Sequence, residues 1–285
     1  MSAGPWRTLV DADVLAVALG APGLVVLDCR ASLADPSAGV RAHAAAHVPG
    51  AVHADLEREL SGRPSPGAGR HPWPQGEAFA RRLGGWGIEP ATQVVAYDDG
   101  DGAFAARAWW LLRSFGHQAV AVLDGGWARW TALGLPTRAG GEGASLAPVY
   151  PGAFDGARLL DAEAVRLHVA AGGLLVDARA PERFRGEVEP IDRVAGHVPG
   201  AVSRPYAANL AGGRWKPAAA LAEEFEALLA GRPPEALVAM CGSGVTACHH
   251  LLAMTHAGLP GAGLYCGSWS GWIEDPERAV ATGDS

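Results

Sequence analysis

Residues 236–258, ALVAMCGSGVTACHHLLAMTHAG, read as a buried strand, a glycine-punctuated turn and a helix. Ala236–Met240 is an apolar run of strand length. Thr246–His256 has helical composition and runs into Gly258, a natural helix stop. Between them stand Cys241, Gly242, Ser243, Gly244 and Val245. Two glycines within three residues permit a sharp turn whose amides face inward. The helix adds its unpaired first N–H groups and the positive end of its dipole. Gly242, Gly244, Val245 and Thr246 are therefore expected to cradle an anionic sulfur on Cys241. The hydroxyls of Ser243 and Thr246 add donors without adding charge.

Working outward, the chain repeats itself. LVVLDCR, with Asp28 and Arg30, returns as LLVDAR, with Asp177 and Arg179. HVPGAV occurs at His47–Val52 and again at His197–Val202. The segment from Val94, VVAYDDGDGAFAARAWWLL, parallels LVAMCGSGVTACHHLL from Leu237, and VLDGGWARW (Val122–Trp130) parallels LYCGSWSGW (Leu264–Trp272). Four landmarks in the same order mean a duplicated domain. The expected division is a first domain over 1–140, a linker over 141–157 and a second domain over 158–285. Pro136, Gly140, Gly141, Gly143, Pro148, Pro151 and Gly152 mark the join. Asp98 stands where Cys241 stands in the second copy, in a loop (Asp98–Gly102) that reads as about three residues longer. The first copy has thus lost the nucleophile.

Each copy alternates strand and helix signals. Leu24–Asp28, Val94–Tyr97 and Ala119–Leu123 read as buried strands, and Glu77–Leu83 and Ala103–Ser114 as helices. Asp161 is a helix N-cap with Glu163 in its first turn, and Pro217–Ala230 is a further helix. The pattern is α/β: in each copy a mainly parallel sheet flanked by helices.

Composition bounds the function. Half of the 285 residues are apolar (49%) and 19% are charged, the balance of a globular chain. A net charge of −7 argues against a nucleic-acid surface. No apolar run approaches a membrane span, and the opening Met-Ser-Ala-Gly-Pro-Trp lacks the pattern of a secretory leader. Four cysteines in so long a chain do not make a disulfide framework, so a reducing cytoplasm is the expected setting.

These marks together (LDCR and VDAR, the doubled HVPGAV, CGSGVTA and the closing GSWSGW) resemble the rhodanese and 3-mercaptopyruvate sulfurtransferase family over nearly the whole chain. The resemblance implies two tandem rhodanese-like domains, the first catalytically silent. It implies a ping-pong cycle in which Cys241 takes a sulfane sulfur from 3-mercaptopyruvate or thiosulfate and passes it, as a persulfide, to cyanide, a small thiol or thioredoxin. The neutral loop is similar to that of the mercaptopyruvate branch. There Ser243, His71 (in Gly-Arg-His-Pro-Trp-Pro) and an acidic residue, Glu57 or Asp55, would form a proton relay. Arg183 matches the family's donor-binding arginine, and Asp177 a carboxylate that holds the active loop. A second arginine, nine positions on in that branch, is Asp192 here, with Arg193 adjacent as a substitute.

Other features are set aside. Cys248, His249 and His250 lack the spacing of a zinc site, and no metal or cofactor is expected. Cys266 and Cys29 read as structural, as do His47 and His197, and the paired Trp127/Trp130 and Trp269/Trp272 as core. A Cys-dependent phosphatase needs an arginine six residues after its cysteine, where this chain has Ala247. A non-catalytic sulfur-carrier or regulatory rhodanese-like module is the other alternative; a binding or regulatory module would be expected to have lost the nucleophile, as the first copy has, whereas Cys241 is intact.

Overall fold

A computed structural model of the protein describes residues 5–141 and 146–284. Positions 1–4, which open the leader reading, and 142–145, inside the expected linker, lie outside the described residues. The chain forms two compact units. Unit 1 comprises Met1–Gly62, Pro74–Asp155 and Gly212–Trp215, and unit 2 comprises Arg63–Trp73, Gly156–Ala211 and Lys216–Ser285. The division is therefore not a single cut: residues 63–73, which carry Arg70 and His71, fold with the second copy.

In unit 1 the strands are β1 (Leu9–Val10), β2 (Leu24–Asp28), β3 (Ala51–His53), β4 (Gln93–Tyr97) and β5 (Val120–Leu123). They pair in parallel, in the order β1-β5-β4-β2-β3. The helices are α1 (Ala12–Ala18), α2 (Ala38–Ala45), α3 (Gly76–Gly85), α4 (Ala103–Ser114) and α5 (Gly126–Ala132). The central strand β4 is buried from Val94 to Tyr97, as a strand covered on both faces must be. Val26, Val95, Tyr97, Ala121, Leu123 and Trp130 join one core. The described end of the expected linker is docked on this unit: Tyr150 N–H donates to the Ala80 carbonyl, and Phe154 packs on Phe79 and Phe115.

Unit 2 repeats the plan with β6 (Leu159–Leu160), β7 (Leu174–Asp177), β8 (Ala201–Ser203), the short β9 (Leu210–Ala211), β11 (Leu237–Met240) and β12 (Gly263–Tyr265). The short β10 (Arg214–Trp215) is counted with unit 1. The parallel order β6-β12-β11-β7-β8 matches that of unit 1 strand for strand. The helices are α6 (Ala162–Ala170), α7 (Pro181–Phe184), α8 (Ala218–Leu229), α9 (Ala247–His256) and α10 (Ser268–Trp272). The Asp161 carboxylate accepts from the Ala164 amide at 2.8 Å, the expected N-cap. Pro217 precedes the first turn of α8, where a missing N–H costs nothing. Among the described residues, no helix is long and apolar enough to cross a membrane.

The loop-length expectation needs correction. The connection after β4 runs from Asp98 to Gly102, and that after β11 from Cys241 to Thr246. The first copy's loop is the shorter by one residue, and helix α4 has twelve residues to the ten of α9, because Gly102, at φ +79°, lets the helix begin at once.

Candidate active site

Strand β11 is wholly buried and pairs Met240 with Asp177 of β7, so Cys241 emerges at the carboxyl edge of the sheet. Four backbone contacts pin the loop there. Ala178 N–H donates to the Met240 carbonyl (2.8 Å), Trp269 N–H to that of Cys241 (3.0 Å) and Ser270 N–H to that of Gly242 (2.9 Å). The Cys241 amide donates to Ser268 Oγ (3.1 Å), which itself donates to the Tyr265 carbonyl (2.8 Å). The GSWSGW segment is thus the clamp of the cysteine loop as well as core. The substitution of Ser268 and Ser270 for Gly126 and Ala128 of the first copy was the available signal.

Gly244 adopts φ +77°, and a β-carbon there would lie 2.4 Å from the Cys266 carbonyl oxygen, so only glycine fits. Its amide reaches Cys241 Sγ at 3.1 Å. The cradle is narrower than the sequence implied: among the described residues, no other loop amide hydrogen-bonds to that sulfur. Val245 is instead buried (3% exposed), and its carbonyl, like that of Thr246, accepts from the first turn of α9. Cys241 is itself buried, at 2% exposure. Its surroundings are polar: a β-carbon on Gly242 would lie 3.1 Å from Arg70 Nη2 and 3.6 Å from Arg183 Nη2.

Ser243 and His71 meet. Their Oγ and Nδ1 are 2.7 Å apart, and both residues are buried. The glycine- and proline-rich segment carrying His71 is held in unit 2 by Glu274, which accepts from the amides of Gly67 (2.5 Å) and Gly69 (3.2 Å), and by Ser270 Oγ, which accepts from the Arg70 amide (3.0 Å). In unit 1, Asp55 commits its carboxylate to its own turn, accepting from the amides of Glu57 and Arg58 at 2.9 Å each.

Two expectations fail on geometry. The Asp177 carboxylate does not grip the loop. It is taken up by the Arg179 amide (3.0 Å) and guanidinium (2.7 Å), while Arg179 stacks over Trp269. Arg193 does not replace the missing second arginine either, because its guanidinium donates to the Ile273 carbonyl. Arg183 is placed beside Gly242, bound edge-on by Glu189 (3.1 and 2.7 Å) and touching Asp192 (3.4 Å). Arg70, passed over in the sequence, pairs with Asp192. Its adjacency to His71 was the signal.

The remaining cysteines are buried. Cys248 Sγ lies 3.4 Å from the Gly244 carbonyl and Cys266 Sγ 3.6 Å from that of His71, contacts of packed thiols. Burial pushes the Cys29 thiol well above its usual range, aided by the charge of Asp28.

The equivalent loop of unit 1 contains a complete cradle. Asp98 Oδ1 accepts from the amides of Gly100 (3.1 Å) and Gly102 (2.9 Å), and Oδ2 from Phe104 (2.9 Å) and Ala105 (3.1 Å). Burial raises this carboxyl to about 6, with Asp101 adding to the rise against the pull of the amides. Trp215 closes over the same turn, with its ring 2.9 Å from the β-carbon position of Gly102.

Comparison with known proteins adds relatives of one kind. The family described as Rhodanese-like domain matches residues 11–133 and 161–275. A probable 3-mercaptopyruvate sulfurtransferase of Pseudomonas aeruginosa is 52% identical over 280 residues, covering 97% of this chain and 98% of that one. A putative thiosulfate sulfurtransferase SseB of Mycobacterium tuberculosis is 40% identical over 267 residues, 90% of each chain. Among solved structures, SseA from Escherichia coli, described with the 3-mercaptopyruvate sulfotransferases, aligns with a TM-score of 0.75 at 33% identity, over 93% of this chain and all of that one.

Proposed function

Since the chain belongs to the rhodanese-like sulfurtransferase family, we propose that Cys241 is the residue that carries the sulfur, and that unit 2 holds the whole reacting centre. The observation that carries this reading is the contact of the Gly244 amide with Cys241 Sγ at 3.1 Å, two residues from the buried Ser243–His71 pair at 2.7 Å.

The donor is a small molecule, 3-mercaptopyruvate or thiosulfate. With 3-mercaptopyruvate, the Cys241 thiolate attacks the donor sulfur and the carbon–sulfur bond breaks. Its electron pair passes to the carbon that becomes the pyruvate methyl, and the proton lost by the donor thiol returns there. Ser243, hydrogen-bonded to His71, is the group placed to move that proton. With thiosulfate, the S–S bond of the donor breaks instead and sulfite leaves with the electron pair. Either way Cys241 becomes a persulfide anion. Its outer sulfur sits about 2 Å beyond Sγ. A nucleophile (cyanide, a small thiol or a thioredoxin-type dithiol) then attacks the outer sulfur and regenerates the thiolate. Unit 1, in which Asp98 fills the corresponding loop, is the silent copy. The two copies follow one another in sequence, 1–140 and 158–285 about a join at 141–157, with residues 63–73 lent to the second; a cytoplasmic setting completes the reading.

The test is cyanolysis. Protein incubated with either donor and then with cyanide is expected to release thiocyanate, and Cys241→Ser is expected to release none while keeping the native circular dichroism. Undiminished release from the folded variant sinks the assignment.

A further inference from the structure

The register between β11 and β12 brings a second thiol to the nucleophile. Val238 pairs with Gly263 and Ala239 with Leu264. Two steps further along the same ladder Cys241 stands opposite Cys266, each one residue past the end of its strand. Val238, Met240 and Tyr265 face one core, so the next residue on each strand faces the other side of the sheet. Neighbouring strands run about 4.8 Å apart, inside the span of about 4.4–6.8 Å between α-carbons that a disulfide bridges. Gly244 touches both residues: its amide is 3.1 Å from Cys241 Sγ, and its β-carbon position is 3.0 Å from Cys266 Cα. Cys266 Sγ donates to the His71 carbonyl at 3.6 Å, and His71 holds Ser243 of the cysteine loop. A turn about the Cα–Cβ bond of Cys266 exchanges that weak bond for the nucleophile's sulfur. The first copy fills the same pair with carboxylates. Val94 pairs there with Val120 and Ala96 with Val122, which sets Asp98 opposite Asp124. Asp124 serves structure, accepting from the Trp215 amide (3.0 Å) and from Arg214 Nε (2.8 Å). The second copy has a thiol at both positions.

We infer that Cys266 is a resolving thiol: it discharges the Cys241 persulfide as hydrosulfide and leaves a Cys241–Cys266 disulfide for an external thiol or dithiol to reduce. The inference rests on the Cys241 persulfide reading. The Cys266 thiol gives its proton to the outer sulfur, its own sulfur attacks Cys241 Sγ, and the bond between Sγ and the outer sulfur breaks. The outer sulfur leaves as HS⁻ with the electron pair of that bond. No oxidant is consumed, because the sulfane sulfur is reduced as the two cysteine sulfurs are joined. Hydrogen sulfide is a stronger acid than an ordinary thiol, so hydrosulfide is the better leaving group. One dithiol, or two thiols, then restores both cysteines and starts the cycle again.

The test loads the native protein, Cys266→Ser and Cys266→Asp (the residue of the first copy) with 3-mercaptopyruvate and, in parallel, with thiosulfate under argon, and then removes the donor. Cyanide added at once is expected to yield thiocyanate from every form, and later readings are taken per loaded chain. Left without cyanide, the native protein is expected to release about one hydrosulfide per persulfide. Its peptide map, alkylated without reduction, is expected to join Cys241 to Cys266. Both variants should keep a cyanide-labile sulfur at least about tenfold longer. Dithiothreitol should return the discharged native protein to full loading. A native persulfide as long-lived as that of the variants, or a bridge from Cys241 to Cys248 instead, would overturn the role of Cys266 and leave the persulfide standing. No thiocyanate from any freshly loaded form would overturn the persulfide reading, and this assignment with it.

Discussion

At the residue scale the two donors make different demands on the same atoms. A proton must leave 3-mercaptopyruvate and return to the departing carbon, whereas sulfite departs from thiosulfate without needing one. Ser243→Ala removes the hydroxyl 2.7 Å from His71 Nδ1 and leaves the Gly244 contact to the sulfur in place. The expected result is a loss of about a hundredfold in kcat with 3-mercaptopyruvate and a change under about threefold with thiosulfate, measured by thiocyanate release. Equal losses with both would mean that Ser243 holds the loop and moves no proton. Cys241, Ser243 and Gly244 were legible because their chemistry and their turn lie within four consecutive residues. His71 and Arg183 were legible only through motif resemblance. Arg70 and the bonds of Asp177 were not, because the partner that fixes each guanidinium is chosen by packing between distant segments. Asp177 and Asp192 look alike in sequence. One is absorbed by Arg179 of its own strand end, and the other spans Arg70 and Arg183.

At the element scale, helix α9 presents its cysteine loop at one end and a buried polar network along its side. His250 Nε2 donates to the Arg204 carbonyl (2.7 Å), so its Nδ1 is the acceptor, and Asn209 Nδ2 donates to it at 3.0 Å and to His249 Nδ1 at 2.8 Å. Burial, with the nearby charge of Arg204, lowers His250 to about 3 from a normal 6.5. The neutral ring is the folded form, so its contribution to stability is complete above about pH 6.5 and declines as the pH falls toward 3. The steepest slope is about 1.4 kcal/mol per pH unit. Urea unfolding between pH 7 and 5 should show this loss, and His250→Gln should flatten it; a variant with the native slope would assign the acid sensitivity to other groups. The loop itself yields a second prediction. Gly244→Ala places a β-carbon 2.4 Å from the Cys266 carbonyl at φ +77°, and is expected to displace the Gly244 amide from the sulfur. Transfer should fall at least about tenfold while far-ultraviolet circular dichroism is unchanged. Unaltered transfer would show that the amide contact is dispensable. Strands and helices were legible here from apolar runs and end signals. The loop comparison between copies was not, since a run of Asp and Gly after β4 fits a longer turn or an earlier helix start equally well, and only the backbone at Gly102 decides.

At the scale of the whole molecule, duplication was the most legible feature, because HVPGAV, the Asp–Arg strand ends and the paired tryptophans recur in order. The two five-stranded sheets follow one strand order. What sequence could not show is the exchange of residues 63–73 and 212–215, since contact and chain order part company there. Nor could it show what a lost nucleophile leaves behind. In unit 1 the answer is a carboxylate held by four amides. Asp98 thus supplies from within the protein the kind of anion that the cradle was expected to hold in unit 2. Its removal should therefore be a structural lesion and not a catalytic one. Asp98→Ala leaves four donors without an acceptor, two of them buried, at a cost of about 2–4 kcal/mol after the relief of burying a charge is set against it. Hydrogen exchange is expected to quicken at the amides of residues 100–105 while those of 241–246 keep the native rate, and thiocyanate release per folded molecule should be unchanged. If the variant instead lost transfer in proportion to its faster exchange, Asp98 would belong to the working of Cys241, and the first copy could not be called silent.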